Sequence, residues 1–150
     1  MLKIGDKAPD FKLKDEKGEI ISLKKFSGKS VILYFYPKDD TSGCTAEACS
    51  FRDNIKLFEN KNTVILGISK DSIISHKKFK DKYNLPFSLL SDDTLDVIKK
   101  YDVWKEKNMY GRKYFGIERT TYIIDKNGFI KDIFNKVKVN GHTEEVLKSL

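Results

Sequence analysis

The chain reads as an α/β domain, with a central mixed β-sheet flanked by helices and a strand extension at the N-terminus. Three observations predict it. The run Ser30 to Tyr36 and the run Thr63 to Ser69 are almost wholly apolar, as strands covered on both faces should be. Segments with helical spacing follow each of them. Near the C-terminus, Lys126-Asn127-Gly128 joins two further apolar runs, and Asn-Gly is a strong hairpin signal.

Taken in order, Phe11 to Leu13 and Ile20 to Leu23 read as short strands separated by the turn-prone Asp15-Glu16-Lys17-Gly18-Glu19. After the strand Ser30–Tyr36, residues Thr45 to Asn60 form a helix, because Ala48, Phe51, Ile55 and Phe58 fall on one face. Strand Thr63–Ser69 comes next. Asp71-Ser72 caps a helix from Ile73 to Asn84, which ends before Leu85-Pro86. Phe87 to Ser91 is a short strand, and Asp93-Thr94 opens a helix from Leu95 to Tyr101. Residues 102–118 show no clear period and read as loop. Strands Thr120–Asp125 and Phe129–Phe134 and a closing helix Thr143–Leu150 complete the chain. This order is a thioredoxin-like layout over one domain, residues 1–150.

The bulk numbers narrow the function. Net charge is +7, but only three of the 29 basic residues are arginine, at 52, 112 and 119. Nucleic-acid readers lean on the arginine fork. Here lysines are interleaved with acids, as in Lys77-Lys78-Phe79-Lys80-Asp81-Lys82, so the charge reads as a solvated surface and no nucleic-acid partner is expected. No run of ~18 apolar residues suggests a membrane helix, and Met1–Asp6 shows no secretory signal. Two cysteines are too few for a disulfide scaffold, and a cytoplasmic location is the expectation.

Both cysteines, Cys44 and Cys49, lie within the first helical stretch. Cys44 falls at its first turn, where unpaired N–H groups and the helix dipole favour thiolate over thiol. The dipole typically supplies ~0.3–1 kcal/mol. Only a few per cent of an ordinary thiol is ionised at neutral pH, so that is too little. A hydrogen bond to a charged partner adds ~1.5–3 kcal/mol, so a cation is expected within reach. Arg119, at the start of strand Thr120–Asp125, is the best candidate, because its fork can serve two atoms at once. Arg52, two helical turns past Cys44, either joins that network or pairs with Asp53 or Glu59, and Arg112 reads as solvated. Thr41 offers a hydroxyl to the thiol or a bound oxygen, or is an ordinary loop cap. Pro37 ends the strand and shields the thiol. Gly43 allows close backbone approach. Glu47 either anchors an arginine or complements the dipole as an acid in the first turn. His76 and His142 read as surface residues.

Pro37, Thr41 and Cys44 match Pro-x-x-x-Thr-x-x-Cys, the peroxiredoxin motif. The longer string Tyr34 to Lys38 and Gly43 to Asp53 resembles the bacterioferritin comigratory protein, or peroxiredoxin Q, group. The likeness extends to Gly5–Phe11 and Tyr114–Asp125. It departs at Ser42, where many relatives carry proline. The resemblance implies one thioredoxin-like peroxiredoxin domain of the AhpC/TSA type, acting as a thiol peroxidase on hydrogen peroxide and organic hydroperoxides without a cofactor. Cys44 would be the peroxidatic cysteine, Thr41 and Arg119 the activating pair, and Cys49 the resolving cysteine of an intramolecular disulfide. Substrate would meet Thr41, Gly43, Cys44 and Arg119. Thioredoxin or a similar dithiol would restore both thiols, and a monomer is expected.

Two other functional classes fit the residues less well. A thioredoxin-like disulfide reductase would use Cys-x-x-Cys, but four residues separate these cysteines. A non-enzymatic chaperone or interaction role would leave the thiols idle. A zinc site built on Cys44, Cys49, His76 and His142 lacks finger-like spacing. Tyr110, Tyr114 and Phe115 either form a substrate collar or have a core or loop-packing role.

Overall fold

The structure, a computed structural model, describes residues 1–150. The elements are β1 (Lys12–Lys14), β2 (Ile20–Ser22), a 3-10 turn (Leu23–Phe26), β3 (Ser30–Phe35), α1 (Ser42–Asp53), α2 (Ile55–Asn60), β4 (Thr63–Ser69) and α3 (Ile73–Tyr83). Then come β5 (Ser88–Ser91), α4 (Asp96–Lys100), β6 (Trp104–Met109), β7 (Arg112–Ile117), β8 (Thr120–Ile124), β9 (Ile130–Phe134) and α5 (His142–Lys148).

Seven strands form one mixed sheet in the order β2-β1-β5-β4-β3-β8-β9. Strands β3, β4 and β5 run parallel, joined by helical crossovers. Antiparallel β8 and β9 extend one side, and β1 and β2 the other. This is the expected thioredoxin-like α/β fold with its N-terminal strand extension.

Strand period two sorts β3 between two cores. Val31, Leu33 and Phe35 pack with Leu66, Ile68, Leu90, Ile98 and Tyr101 on one face. Ile32, Tyr34 and Tyr36 pack on the other with Ala48, Phe51, Phe58, Ile65, Phe79 and Cys44. The apolar run is unbroken because neither face meets water. The Tyr34 ring needs its neighbour to be glycine. Tyr34 pairs with Gly67 across β3 and β4, and a Cβ at Gly67 would come 2.9 Å from the Tyr34 ring.

Three sequence expectations are corrected. The helix expected over 45–60 starts earlier, at Ser42, and breaks at Asn54 into α1 and α2. There the Asn54 side-chain amide donates to the Ser50 carbonyl at 2.8 Å, taking the acceptor that its own backbone N–H would use in a continuous helix. The backbone N–H turns instead to Phe51 O.

Residues 102–118 are not a loop but largely a hairpin of β6 and β7. Its turn, Tyr110-Gly111, has positive φ at both residues, 53° and 78°, as a two-residue hairpin turn of the primed kind requires. The ribbon stands apart from the main sheet and is mostly exposed, so burial imprinted little alternation on it. Finally, His76 and His142 are buried, at 0% and 2% exposure, not surface residues. Other element ends move by a residue or two.

Candidate active site

Cys44 sits where β3, α1 and β8 meet. Thr41 is the N-cap of α1, which makes Cys44 the third helical residue. The N–H groups of Ser42, Gly43 and Cys44 precede the first intrahelical bond, Thr45 N–H to Thr41 O at 2.8 Å. Thr41 does not cap them. Its hydroxyl donates to Lys38 O at 2.8 Å, and its side chain makes no cap bond. Thr41 is thus at the mouth of the site and exposed, without a hydrogen bond to the sulfur. Pro37 is half-buried between Tyr36 and this loop. Cys44 itself is only 1% exposed.

Sheet register brings Arg119 to the thiol from 75 residues away. Strands β3 and β8 are antiparallel, with Phe35 opposite Thr120 and Tyr34 opposite Thr121. The residue just before β8 therefore lies at the end of β3 that leads into α1. Its Nη2 donates to Cys44 Sγ at 3.3 Å and its Nη1 to Glu47 Oε1 at 2.7 Å. Glu47 follows Cys44 by three positions, so both project from one helix face. Of the two sequence readings of Glu47, the arginine anchor is the one that forms.

The electrostatics follow from burial. Glu47 is buried and its Oε2 has no partner. Burial pushes its carboxyl up to about 7, although the Arg119 charge and hydrogen bond pull it down. Burial works against the Arg119 charge, but Glu47 and Cys44 outweigh it and hold the guanidinium proton more firmly than usual. Gly43 makes room for this fork: a Cβ there would sit 3.2 Å from Arg119 Nη2.

Of the residues expected at the site, the structure joins Cys44, Arg119, Glu47 and Gly43 directly and sets Thr41 and Pro37 on the adjoining loop. Cys49 is half-buried and free, farther along α1. Arg52 does not join the Cys44 network. It pairs with Asp53 at 2.9 Å and donates to Tyr83 O at 2.7 Å, tying α1 to α3. Arg112 is exposed, as expected. Tyr110, Tyr114 and Phe115 are also exposed, on the β6–β7 ribbon, which excludes interior packing for them.

Lys107 was not singled out from sequence. From β6 its Nζ donates to Ile117 O at 2.6 Å. Burial holds its ammonium below the usual range, as does the Arg119 charge, while Cys44 and Glu118 work the other way. It is a second cation in the field of the thiol. Only recognition of the Tyr110-Gly111 turn would have signalled it.

One group of ligand-type atoms, on Asp39, Asp71 and His76, lies within 4.8 Å of one another. The His76 nitrogens and Asp39 oxygens are already bonded within the protein. His142 is likewise committed, to Thr121 at 2.8 Å and Glu145 at 2.6 Å. No helix is long and apolar enough to cross a membrane.

Comparisons with known proteins converge. A profile of the AhpC/TSA family matches residues 4–133. The putative peroxiredoxin bcp of Coxiella burnetii is 54% identical over 149 residues, covering 99% of each chain. The peroxiredoxin Bcp of Bacillus subtilis is 50% identical, covering 99% of this chain and 95% of its own. Among solved structures, a cysteine-to-serine mutant of Xylella fastidiosa PrxQ superposes with a TM-score of 0.94 at 37% identity, covering 99% of this chain and 94% of that one.

Proposed function

We infer the function from one premise: this chain belongs to the AhpC/TSA family, and within it to the Bcp/peroxiredoxin Q group of peroxiredoxins. It is a thiol peroxidase that reduces peroxides and is recycled by thioredoxin. The observation that carries the assignment of roles is the Arg119 fork, with one nitrogen on Cys44 Sγ and the other on buried Glu47.

In the proposed cycle the Cys44 thiolate attacks the near oxygen of a hydroperoxide. The O–O bond breaks, the sulfur becomes a sulfenic acid, and the far oxygen leaves as alkoxide or hydroxide, taking a proton to become alcohol or water. The Arg119 guanidinium stabilises the thiolate, and the free N–H groups of the first turn receive the developing oxygen charge. The Thr41 hydroxyl, whose oxygen remains an acceptor while it donates to Lys38 O, orients the protonated peroxide oxygen. Pro37 limits water at the sulfur. The Cys49 thiol then condenses with the sulfenic acid, releasing water and forming the disulfide, and a dithiol such as thioredoxin reduces it.

Cys44 and Cys49 both lie within α1. Ideal helix geometry separates residues i and i+5 by ~8.7 Å between Cα atoms. A disulfide rarely spans more than ~7 Å. The first turns of α1 must therefore unwind before the two sulfurs join.

Residues 1–150 act as one unit, a reading supported by two cores that share a single sheet. A monomer is favoured because the cycle assigned to Cys44 and Cys49 is intramolecular and needs no second copy of the chain. Assigning both cysteines to the redox cycle, with none left for a structural disulfide, fits a cytoplasmic location.

The test is an NADPH-coupled assay with thioredoxin and thioredoxin reductase, comparing hydrogen peroxide with an alkyl hydroperoxide. Wild type consumes NADPH with both. Cys44→Ser is inactive, and Cys49→Ser oxidises once at Cys44 without forming the intramolecular disulfide. Turnover by Cys44→Ser would overturn the reading.

A further inference from the structure

The loop Pro37–Thr41 that delivers Cys44 is held from beneath by a buried hydrogen-bond network. Asp39 is 8% exposed although it lies in that loop. Its Oδ1 accepts from the Tyr36 hydroxyl at 2.5 Å. Its Oδ2 accepts from the Ser75 hydroxyl at 2.8 Å and meets His76 Nδ1 at 2.7 Å. The backbone N–H of Asp39 donates to Asp71 at 2.9 Å.

His76 is fully buried, and its other nitrogen, Nε2, meets Leu90 O at 3.0 Å. A carbonyl only accepts, so Nε2 carries a hydrogen. One hydrogen lies between Nδ1 and Asp39 Oδ2 and ties the two side chains together. The Tyr36 side chain just past β3, side chains of α3 and a carbonyl of β5 thus converge through His76 and Asp39 on the catalytic loop.

We propose that His76 is a positioning residue for peroxide reduction, which through Asp39 fixes the loop carrying Pro37 and Thr41 over Cys44. Neither His76 nor Asp39 bonds the sulfur. The Arg119 contact with Cys44 comes from the residue just before β8 and does not pass through this network. Reaction with peroxide needs the loop in place, since Thr41 and the first-turn N–H groups hold the oxygens. Alkylation of the sulfur needs only the thiolate. The two reactions should therefore separate. This rests on the roles proposed above for Thr41 and Arg119.

The hydrogen-bond pattern also predicts a rescue. In Asp39→Asn the amide oxygen still accepts from Tyr36. The NH₂ donates to Ser75 Oγ and to a neutral His76 at Nδ1, while Nε2–H stays on Leu90 O. Every bond survives with its polarity reversed at one end.

The experiment measures two second-order rates at Cys44 in the full chain, by competition kinetics with hydrogen peroxide and by alkylation with iodoacetamide. His76→Leu is expected to slow the peroxide reaction at least tenfold and to leave alkylation within about threefold. Asp39→Asn is expected to stay within about threefold of wild type in both. Should His76→Leu fail to fold by circular dichroism, Ser75→Ala removes one donor to Asp39 and is expected to slow the peroxide reaction about three- to tenfold.

Wild-type peroxide rates in the folded His76→Leu protein, or in Ser75→Ala where that variant replaces it, would overturn the proposal. So would equal losses in both reactions, or an Asp39→Asn defect as deep as that of His76→Leu. Wild type unable to reduce peroxide would instead refute the assigned function.

Discussion

Replacing Arg119 by glutamine removes the one charged donor to the Cys44 sulfur, at 3.3 Å, together with the bond to Glu47 at 2.7 Å. A hydrogen bond to a charged group contributes ~1.5–3 kcal/mol, and each ~1.4 kcal/mol is a factor of ten, so the rate at the sulfur should fall about 10- to 150-fold. The neighbouring charge moderates the fall. Burial holds the Glu47 carboxyl at about 7 even with Arg119 pulling it down. Without the guanidinium, Glu47 takes up a proton near neutral pH and stops repelling the thiolate. The expected loss therefore lies toward the lower half of the range. Arg119→Lys keeps the charge but cannot place planar donors on Cys44 and Glu47 together, so it should fall between glutamine and wild type. The assay is the pair of rates at pH 7, hydrogen peroxide by competition and iodoacetamide by mass spectrometry, with both expected to drop. Rates for Arg119→Gln within twofold of wild type would mean that the fork does not activate the thiol.

Three further outcomes follow from the same geometry. The Glu47 carboxyl is at about 7 in the fold against an ordinary 4.5, so the folded state holds the proton more tightly than the unfolded chain. Stability should decline by up to about 3 kcal/mol as pH rises from 4.5 through 7, and Glu47→Gln should flatten that decline; an identical slope in urea titrations of both proteins would contradict this. Gly43→Ala adds a Cβ 3.2 Å from Arg119 Nη2 at a helical position, where alanine outscores glycine by up to ~1 kcal/mol. Peroxide reduction should fall two- to tenfold with thermal stability kept or raised, and unchanged kinetics would show that the fork tolerates displacement. Oxidation of wild type should lower helix content and expose the amides of Thr45 to Cys49 to exchange, while Cys49→Ser should keep them protected after peroxide treatment; equal protection in oxidised and reduced wild type would rule out unwinding.

Burial leaves its record on a chain as unbroken apolar runs or spaced apolar faces, which made β3, β4 and α3 readable from residue order, and the Asn127-Gly128 turn did the same for the β8–β9 hairpin. The Cys44 neighbourhood was readable too, because Pro37, Thr41 and Cys44 are close in sequence, although the cation beside the sulfur comes from 75 residues away. The β6–β7 ribbon left little such record, since it is mostly exposed, and only its Tyr110-Gly111 turn hinted at it. The break at Asn54 escaped because one side-chain amide competing for Ser50 O does not disturb the apolar spacing around it.

Composition and local pattern determined the fold class and pointed to Cys44 as the candidate nucleophile and to the need for a nearby cation. Tertiary structure alone decided that Arg119 reaches both Cys44 and Glu47, that Lys107 enters their field, and that His76 lies buried against Asp39. Those contacts join residues tens of positions apart. Their geometry is set by sheet register and by the way α3 and the ribbon dock, neither of which leaves a periodic mark on the residues involved.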